Sequence, residues 1–284
     1  MDTDVRRSTP AAIPAVLAGI AVMLAASIPW WGLIAANLKL ANSFPWAAPA
    51  MAAYLCLYWR YCGGWGWPAR TSEWRRRRFR ARGMPAGSWF WAMTAGVLAV
   101  AAAVWLMFAW MRVVHVPVSS EPAVSPYPWI TVVVLQAMNA AVSGIGEEAG
   151  FRGYMQSALE ERAGPAVAIG TTTLLFGLVH FSHGIAYALP REPYYVAIGV
   201  IYGLIAWRTG SILPTMVIHS SGNALSVLLE RKLGAPQPAP LIWQSGADAA
   251  FGRNVALGLA CALASAWAFR RLRMAAQGAP GGTA

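Results

Sequence analysis

The residues best suited to chemistry are concentrated in one stretch, residues 143–223. It contains the hexapeptide Glu-Glu-Ala-Gly-Phe-Arg at residues 147–152, then Phe-x-x-x-His ending at His180, then His-x-x-x-Asn ending at Asn223. The flanking sequence is strongly apolar. Ionisable side chains at membrane depth are energetically expensive and are usually retained for pairing or for function. We therefore expect this stretch to carry a reactive site.

The hexapeptide divides its charged residues between two roles. Glu148 and Arg152 are four residues apart with the acid first, the better order for a pair on one helix face. Glu147 points about 100° away around the helix and is left without this partner. An unpaired carboxylate in a poorly solvated place can take a proton from water and return it to a leaving amine. The pattern predicts Glu147 as a general base and Glu148 with Arg152 as a structural pair.

The two histidine motifs offer partners for Glu147. A turn at Gly164-Pro165 leaves Glu147 and His180 each about sixteen residues from the turn. Since each residue rises about 1.5 Å, both would stand at similar height on antiparallel helices and could meet. His219 and Asn223 are four residues apart on one face, and two converging donors suit a tetrahedral oxyanion. The alternative for both motifs is hydrogen bonding between helices.

The composition indicates the elements that must position these residues. Of 284 residues, 57% are hydrophobic and 12% charged, with a mean hydropathy of +0.47. A soluble domain carries about twice that charged fraction, and continuous apolar runs of roughly 17–25 residues are long enough to cross a bilayer. Transmembrane barrels have short alternating segments instead. The fold class predicted is all-α, a polytopic membrane helix bundle of about eight transmembrane helices.

The predicted spans and regions follow from the apolar runs. The spans lie at residues 11–36, 45–58, 88–111, 129–162, 165–181, 194–207, 214–229 and 255–269. We expect residues 1–284 to form a single transmembrane domain, with a catalytic core at 127–230, a basic cytoplasmic loop at 60–87 and a disordered tail at 275–284. Small residues four apart, Gly146 with Gly150 and Gly199 with Gly203, predict close helix contacts.

The formal net charge of +11 is concentrated between spans. The densest group comprises Arg75, Arg76, Arg77, Arg78, Arg80 and Arg82. This placement suits cytoplasmic retention and contact with anionic lipid headgroups, and it excludes nucleic-acid binding, which needs a soluble basic face. With the N-terminus inside, 16 of the 22 basic residues share its side. We expect a multi-pass protein of a bacterial plasma (inner) membrane with both termini cytoplasmic.

The three motifs together resemble a known family. Glu-Glu-x-x-x-Arg, Phe-x-x-x-His and His-x-x-x-Asn, in this order on successive membrane helices, are similar to the CPBP family of CAAX proteases and bacteriocin-processing (Abi) enzymes, which includes the type II CAAX prenyl endopeptidases. Residues 208–212 share the resemblance. Each motif is weak alone, but jointly they are specific. The resemblance implies an intramembrane endopeptidase acting on a membrane-anchored or hydrophobic peptide or protein, including prenylated CAAX-like substrates.

The resemblance also implies roles for individual residues. Glu147 activates water with assistance from His180, His219 and Asn223 form the oxyanion site, and Glu148 with Arg152 supports them. It implies that no cofactor is required. The alternative is zinc held by Glu147, His180 and His219, although the helical His-Glu-x-x-His signature is absent.

Two rival functions use the same residues differently. The first is an immunity or scaffold membrane protein that binds a peptide or lipid without cleaving it. The second is a transporter with Glu147 and Arg152 as an ion relay, which predicts broken helices in two repeated halves. The sequence shows no such repeat, so the protease and scaffold hypotheses remain.

Overall fold

The computed structural model describes residues 9–117, 127–233 and 240–277. Within these ranges the chain is helical and contains no strand, which confirms the predicted all-α class. The α-helices are α1 (Thr9–Leu40), α2 (Ala47–Cys62), α3 (Ser72–Phe79), α4 (Ala86–Trp110), α5 (Trp129–Glu147), α6 (Gln156–Val179), α7 (Ile185–Ala188), α8 (Glu192–Thr209), α9 (Leu213–Leu233), α10 (Ile242–Ser245) and α11 (Ala249–Gln277).

Four stretches of the described residues are long and apolar enough to cross a membrane: Ile13–Leu40, Ala86–Trp110, Trp129–His183 and Ala249–Ala275. The third is kinked at Gly164, where φ is 80° and ψ is 166°, at the position where the sequence predicts a turn. It covers two of the predicted spans. A multi-pass membrane protein is therefore confirmed. The count of eight stays a prediction, because α2, α8 and α9 are not among these stretches.

Two regions differ from the sequence prediction. The predicted loop at residues 60–87 contains α3, because Arg75 donates to the carbonyls of the loop before it and Phe79 packs edge-on against Trp59. Helix α11 continues through residues 275–277, which were predicted to be disordered, as the alanine-rich sequence there favours helix. Residues 278–284 of that tail lie outside the described residues.

The chain divides into two compact units. Unit 1 comprises Met1–Arg82, Glu121–Ala168 and Thr215–Gly234, and unit 2 comprises Gly83–Ser120, Ile169–Pro214 and Ala235–Ala284. The predicted single transmembrane domain stays a prediction. Unit 1 contains the hexapeptide and the His-x-x-x-Asn motif, and unit 2 contains His180.

In unit 1, α1 packs closely against the helix that carries the hexapeptide. A Cβ on Gly150 would lie 2.6 Å from the Gly19 carbonyl oxygen, and a Cβ on Gly146 would lie 2.6 Å from Ala26 Cβ. This is the close approach that small residues four apart predict, because dispersion contacts hold helices together in lipid. The indole Nε1 of the buried Trp30 also donates to Asn139 Oδ1 at 2.9 Å. These contacts fix the helix on which Glu147 lies.

In unit 2, α4 and α11 pack along each other. A Cβ on Gly258 would lie 2.7 Å from the Leu106 side chain, and Ser265 Oγ donates to the Ala95 carbonyl at 2.9 Å. Helix α8 lies close to α6, since a Cβ on Gly199 would lie 2.8 Å from Thr173 Cγ2. The helix end that carries His180 is therefore packed against a second helix.

The close contact at Gly150 predicts that alanine destabilises the protein at residue 150 but not at residue 170. Gly150→Ala forces its new methyl group into backbone, so we expect a loss of about 1–3 kcal/mol in unfolding free energy. Gly170→Ala is the matched control, because its Cβ meets nothing within 4 Å and alanine stabilises a helix relative to glycine. The thermal unfolding midpoints of both variants in detergent check this. Equal midpoints would show that the α1 contact does not restrict residue 150.

Candidate active site

The hexapeptide lies in a widened turn between α5 and α6. Helix α5 ends at Glu147, and residues Glu148–Met155 form a π-helical segment. The uninterrupted α-helix predicted at residues 129–162 is therefore wrong in this turn. Glycines adapt the segment to its neighbours: a Cβ on Gly153 would lie 3.1 Å from the Phe79 carbonyl oxygen. Such insertions are rare and occur frequently at functional sites.

Glu148 and Arg152 form the predicted ion pair. Arg152 Nη1 donates to Glu148 Oε1 at 2.9 Å, and both side chains are fully buried. His219 Nδ1 lies 3.1 Å from the same oxygen. A carboxylate oxygen accepts hydrogen bonds, so the imidazole Nδ1 is the protonated nitrogen in this contact. Glu148 therefore balances the charge of Arg152 and also orients His219. The sequence spacing did not predict this second role.

Glu147 has one oxygen held and one oxygen without a partner. Its Oε1 accepts from Ser143 Oγ at 2.8 Å. Its Oε2 is buried, has no hydrogen-bond partner among the described residues, and lies 3.9 Å from His219 Nε2. Buried polar atoms are nearly always hydrogen-bonded, so an exception calls for a functional explanation. Glu148 Oε2 is also buried without a hydrogen-bond partner among the described residues, but the Glu147 side chain is 20% exposed and that of Glu148 is fully buried.

Asn223 reaches Glu147 through a serine. Its Nδ2 donates to Ser143 Oγ at 3.2 Å, and the same hydroxyl donates to Glu147. The helices can approach here because residue 144 is glycine: a Cβ would lie 2.1 Å from Ser220 Oγ. His219 and Asn223 thus share the face of α9 that meets Glu147 and Glu148 on α5 and the following turn.

Ser143 is the functional candidate that sequence reasoning missed. It precedes Glu147 by four residues, so the spacing that paired Glu148 with Arg152 also places it beside Glu147. A serine in an apolar helix carries little signal by itself, because it commonly bonds a backbone carbonyl of its own helix. What distinguishes Ser143 is its hydrogen bond from Asn223 on α9. That contact can be found only when the alignment of α9 along α5 is known.

His180 is held in unit 2 by its own motif. Its Nδ1 lies 2.7 Å from the Phe176 carbonyl oxygen, so Nδ1 donates and Nε2 is the acceptor nitrogen of the neutral ring. The Phe176 ring packs edge-on at 5.0 Å, and Tyr195 from α8 stacks at 3.8 Å. The Phe-x-x-x-His spacing therefore fixes the tautomer and plane of the imidazole. Its predicted meeting with Glu147 stays a prediction.

The zinc alternative needs a cluster of ligands. Within the part of the chain that the structure describes, no three His, Cys, Asp or Glu side chains group closely enough to hold a metal ion. Zinc held by Glu147, His180 and His219 stays a prediction.

The motif-bearing segment matches a known protein family. Residues 127–225 match the family model for type II CAAX prenyl endopeptidases, Rce1-like. The match covers 99 of the 284 residues. The matched segment contains Glu147, His180, His219 and Asn223, and it confirms the resemblance found in the motifs. A search of curated proteins and a search of solved structures gave no significant match.

The name of the matched family describes a class of activity. Rce1-like proteins are CAAX proteases, so the family indicates a hydrolase, and the apolar helices place the protein in a membrane. The match spans residues 127–225 of 284. The motif-bearing helices are therefore the part of the chain that carries the family relationship.

The Glu148–Arg152 pair predicts a large penalty for removing one charge. Arg152→Met leaves a buried carboxylate without its guanidinium, so we expect about 3–5 kcal/mol of destabilisation. The double variant Glu148→Gln with Arg152→Met removes both charges and should recover most of that loss. Unfolding midpoints in detergent compare the two. If the double variant were as unstable as the single one, charge balance would not be what holds this turn.

Proposed function

We propose that this protein is a glutamate-dependent intramembrane endopeptidase. Its substrate is a membrane-associated protein or peptide with a hydrophobic C-terminal segment, of the prenylated CAAX class that the family suggests. The observation that carries the proposal is Glu147 Oε2, a buried carboxylate oxygen without a partner among the described residues, 3.9 Å from His219 Nε2.

Glu147 serves as the general base. Ser143 fixes one carboxylate oxygen, so the other oxygen is the one that receives a proton from the attacking water. The hydroxide adds to the scissile carbonyl carbon and gives a tetrahedral intermediate. Glu147 then passes the proton to the amine nitrogen as the carbon–nitrogen bond breaks. One water is consumed, and the products are a carboxylic acid and an amine, which then exchange a proton to give a carboxylate and an ammonium group.

His219 and Asn223 serve as donors to the oxyanion. Glu148 accepts from His219 Nδ1, which directs Nε2 towards the side of Glu147; when protonated, Nε2 donates. The Asn223 amide has two hydrogens. One goes to Ser143, and we assign the second to the oxyanion. Donors fixed before the reaction stabilise developing charge without reorganisation.

The remaining residues position these groups. Arg152 balances the charge of Glu148, and Glu148 orients His219. His180 assists Glu147 in this proposal, with its ring plane fixed by Tyr195. We assign the protein to a plasma (inner) membrane with both termini cytoplasmic, because 16 of its 22 basic residues fall on that side of the predicted topology.

A cleavage assay tests the proposal. Purified protein in detergent is offered a farnesylated CAAX peptide and an unmodified hydrophobic peptide, with products identified by mass spectrometry. Glu147→Gln keeps the size of the side chain and its acceptor oxygen for Ser143 but removes the base. We expect cleavage to fall by about 100- to 10,000-fold.

Matched controls separate the possible outcomes. Glu230→Gln changes an exposed carboxylate on α9, the helix that carries His219, and should cleave like the wild type. A strong chelator should have no effect, whereas a loss of activity that added zinc restores would establish the metal alternative. If Glu147→Gln cleaved as fast as the wild type, Glu147 would not be the base. A binding or immunity phenotype that survived in Glu147→Gln would favour the scaffold.

Ser143 should matter for turnover more than for substrate binding. Ser143→Ala releases Glu147 Oε1 and removes the acceptor for Asn223, and hydrogen bonds to charged groups contribute about 1.5–3 kcal/mol. We expect kcat to fall by about ten- to a hundredfold with KM little changed. Ser143→Thr retains the hydroxyl and should restore most of the rate. Equal losses in both variants, at unchanged unfolding midpoints, would contradict a role for the hydroxyl.

A further inference from the structure

The arginine-rich segment around α3 divides into two groups that serve different purposes. The inward group consists of Arg75, Arg78 and Arg80. Arg75 is buried and donates to the carbonyls of Tyr61, Trp65 and Gly66. Arg78 and Arg80 pair with the two neighbouring carboxylates Glu161 and Glu160. These arginines are used in holding α3 against the rest of unit 1.

The outward group faces a cavity. Arg76, Arg77 and Arg82 line a cavity of about 590 Å³ together with Trp59, Gly63, Glu73, Phe79 and Ala81. Three guanidinium groups meet one carboxylate there, so the lining is net positive. Arg77 is 60% exposed at its side chain and 3.9 Å from Glu161, a distance at which a surface pair contributes little. The cavity therefore presents its positive charge to an occupant.

The same segment carries an exposed set of tryptophans. Trp65, Trp67 and Trp74 have 55%, 86% and 42% of their surface exposed, and the Arg60 guanidinium lies 4.8 Å from the Trp65 ring centroid. Tryptophan is enriched where membrane proteins meet the headgroup layer, because its ring is apolar and its N–H is polar. The segment also precedes α4 in the chain, and α4 is long and apolar enough to cross a membrane. These features put the cavity at the level of lipid headgroups.

We propose that this cavity binds the headgroup of an anionic phospholipid. The guanidinium groups of Arg76 and Arg77 match the phosphodiester oxygens, which arginine binds through paired N–H donors, and Arg82 adds to the positive charge of the lining. Trp59 and Phe79, packed edge-on with centroids 4.8 Å apart, form an apolar wall for the glycerol and the start of the acyl chains. Glu73 is the unfavourable group in the lining. The site is independent of the proposed proteolytic activity.

Native mass spectrometry of the full-length protein in detergent tests this proposal. The probes are phosphatidylglycerol, phosphatidylcholine with the same acyl chains, and inorganic phosphate. Each basic residue near an anionic surface contributes enough to change affinity about fivefold. We expect Arg76→Gln to weaken phosphatidylglycerol binding about fivefold, and the triple variant at residues 76, 77 and 82 to weaken it about a hundredfold if the effects add.

Two further variants control for misfolding and for a general loss of positive charge. Glu73→Gln removes the repulsive carboxylate and should strengthen phosphatidylglycerol binding about fivefold, a gain that misfolding cannot produce. A triple glutamine variant at Arg253, Arg270 and Arg273, all exposed, removes the same charge elsewhere and should bind like the wild type.

Three results would overturn the proposal. The first is equal phosphatidylglycerol binding in the cavity triple and in the distant triple. The second is phosphatidylcholine binding as tight as that of phosphatidylglycerol in the wild type. The third is inorganic phosphate displacing phosphatidylglycerol at equal concentration, which would make the cavity a site for free phosphate instead of lipid.

Discussion

The fully buried ion pair of Glu148 and Arg152 constrains the structure around it. A charged side chain inside an apolar bundle needs hydrogen-bonding partners of suitable charge. Without them, the free energy lost when the charge leaves water exceeds the free energy gained from its contacts. Oε1 of Glu148 meets this condition with Arg152 on its own turn and His219 on α9. Because His219 on α9 contacts that oxygen, the position of α9 along the axis of α5 is fixed. The contact of Gly144 with Ser220 and the hydrogen bond of Asn223 to Ser143 share that register.

Two adjacent carboxylates then acquire different environments from one turn of helix. Glu148 points to the charged partners and is fully buried, whereas Glu147 keeps 20% of its side chain exposed and bonds through one oxygen to a neutral hydroxyl. Neighbouring carboxylates take different roles when their surroundings differ, which is how many enzymes separate an electrostatic group from a proton-transfer group. In this protein Glu147 and Glu148 have different surroundings because adjacent side chains point in different directions from a helix.

Much of this organisation could be predicted from the sequence, and its limits have identifiable causes. Continuous apolar runs predict helices, and the Glu148–Arg152 spacing and the turn at Gly164 follow from local rules. The π-helical segment was missed because periodicity assumes a regular helix, and α3 was missed because its stabilising carbonyl acceptors come from the preceding loop. Ser143 was missed because its significance depends on a partner 80 residues away. Helix register is not visible in a single sequence.

The electrostatic surroundings also explain why residue 223 is an amide. Asn223 Nδ2 must donate to Ser143 Oγ, which itself donates to Glu147. An aspartate there would be an acceptor only, so it would break this chain of hydrogen bonds. It would also add a third carboxylate beside two others, although Arg152 balances only one of them. A neutral donor is the side chain that these constraints together leave at this position.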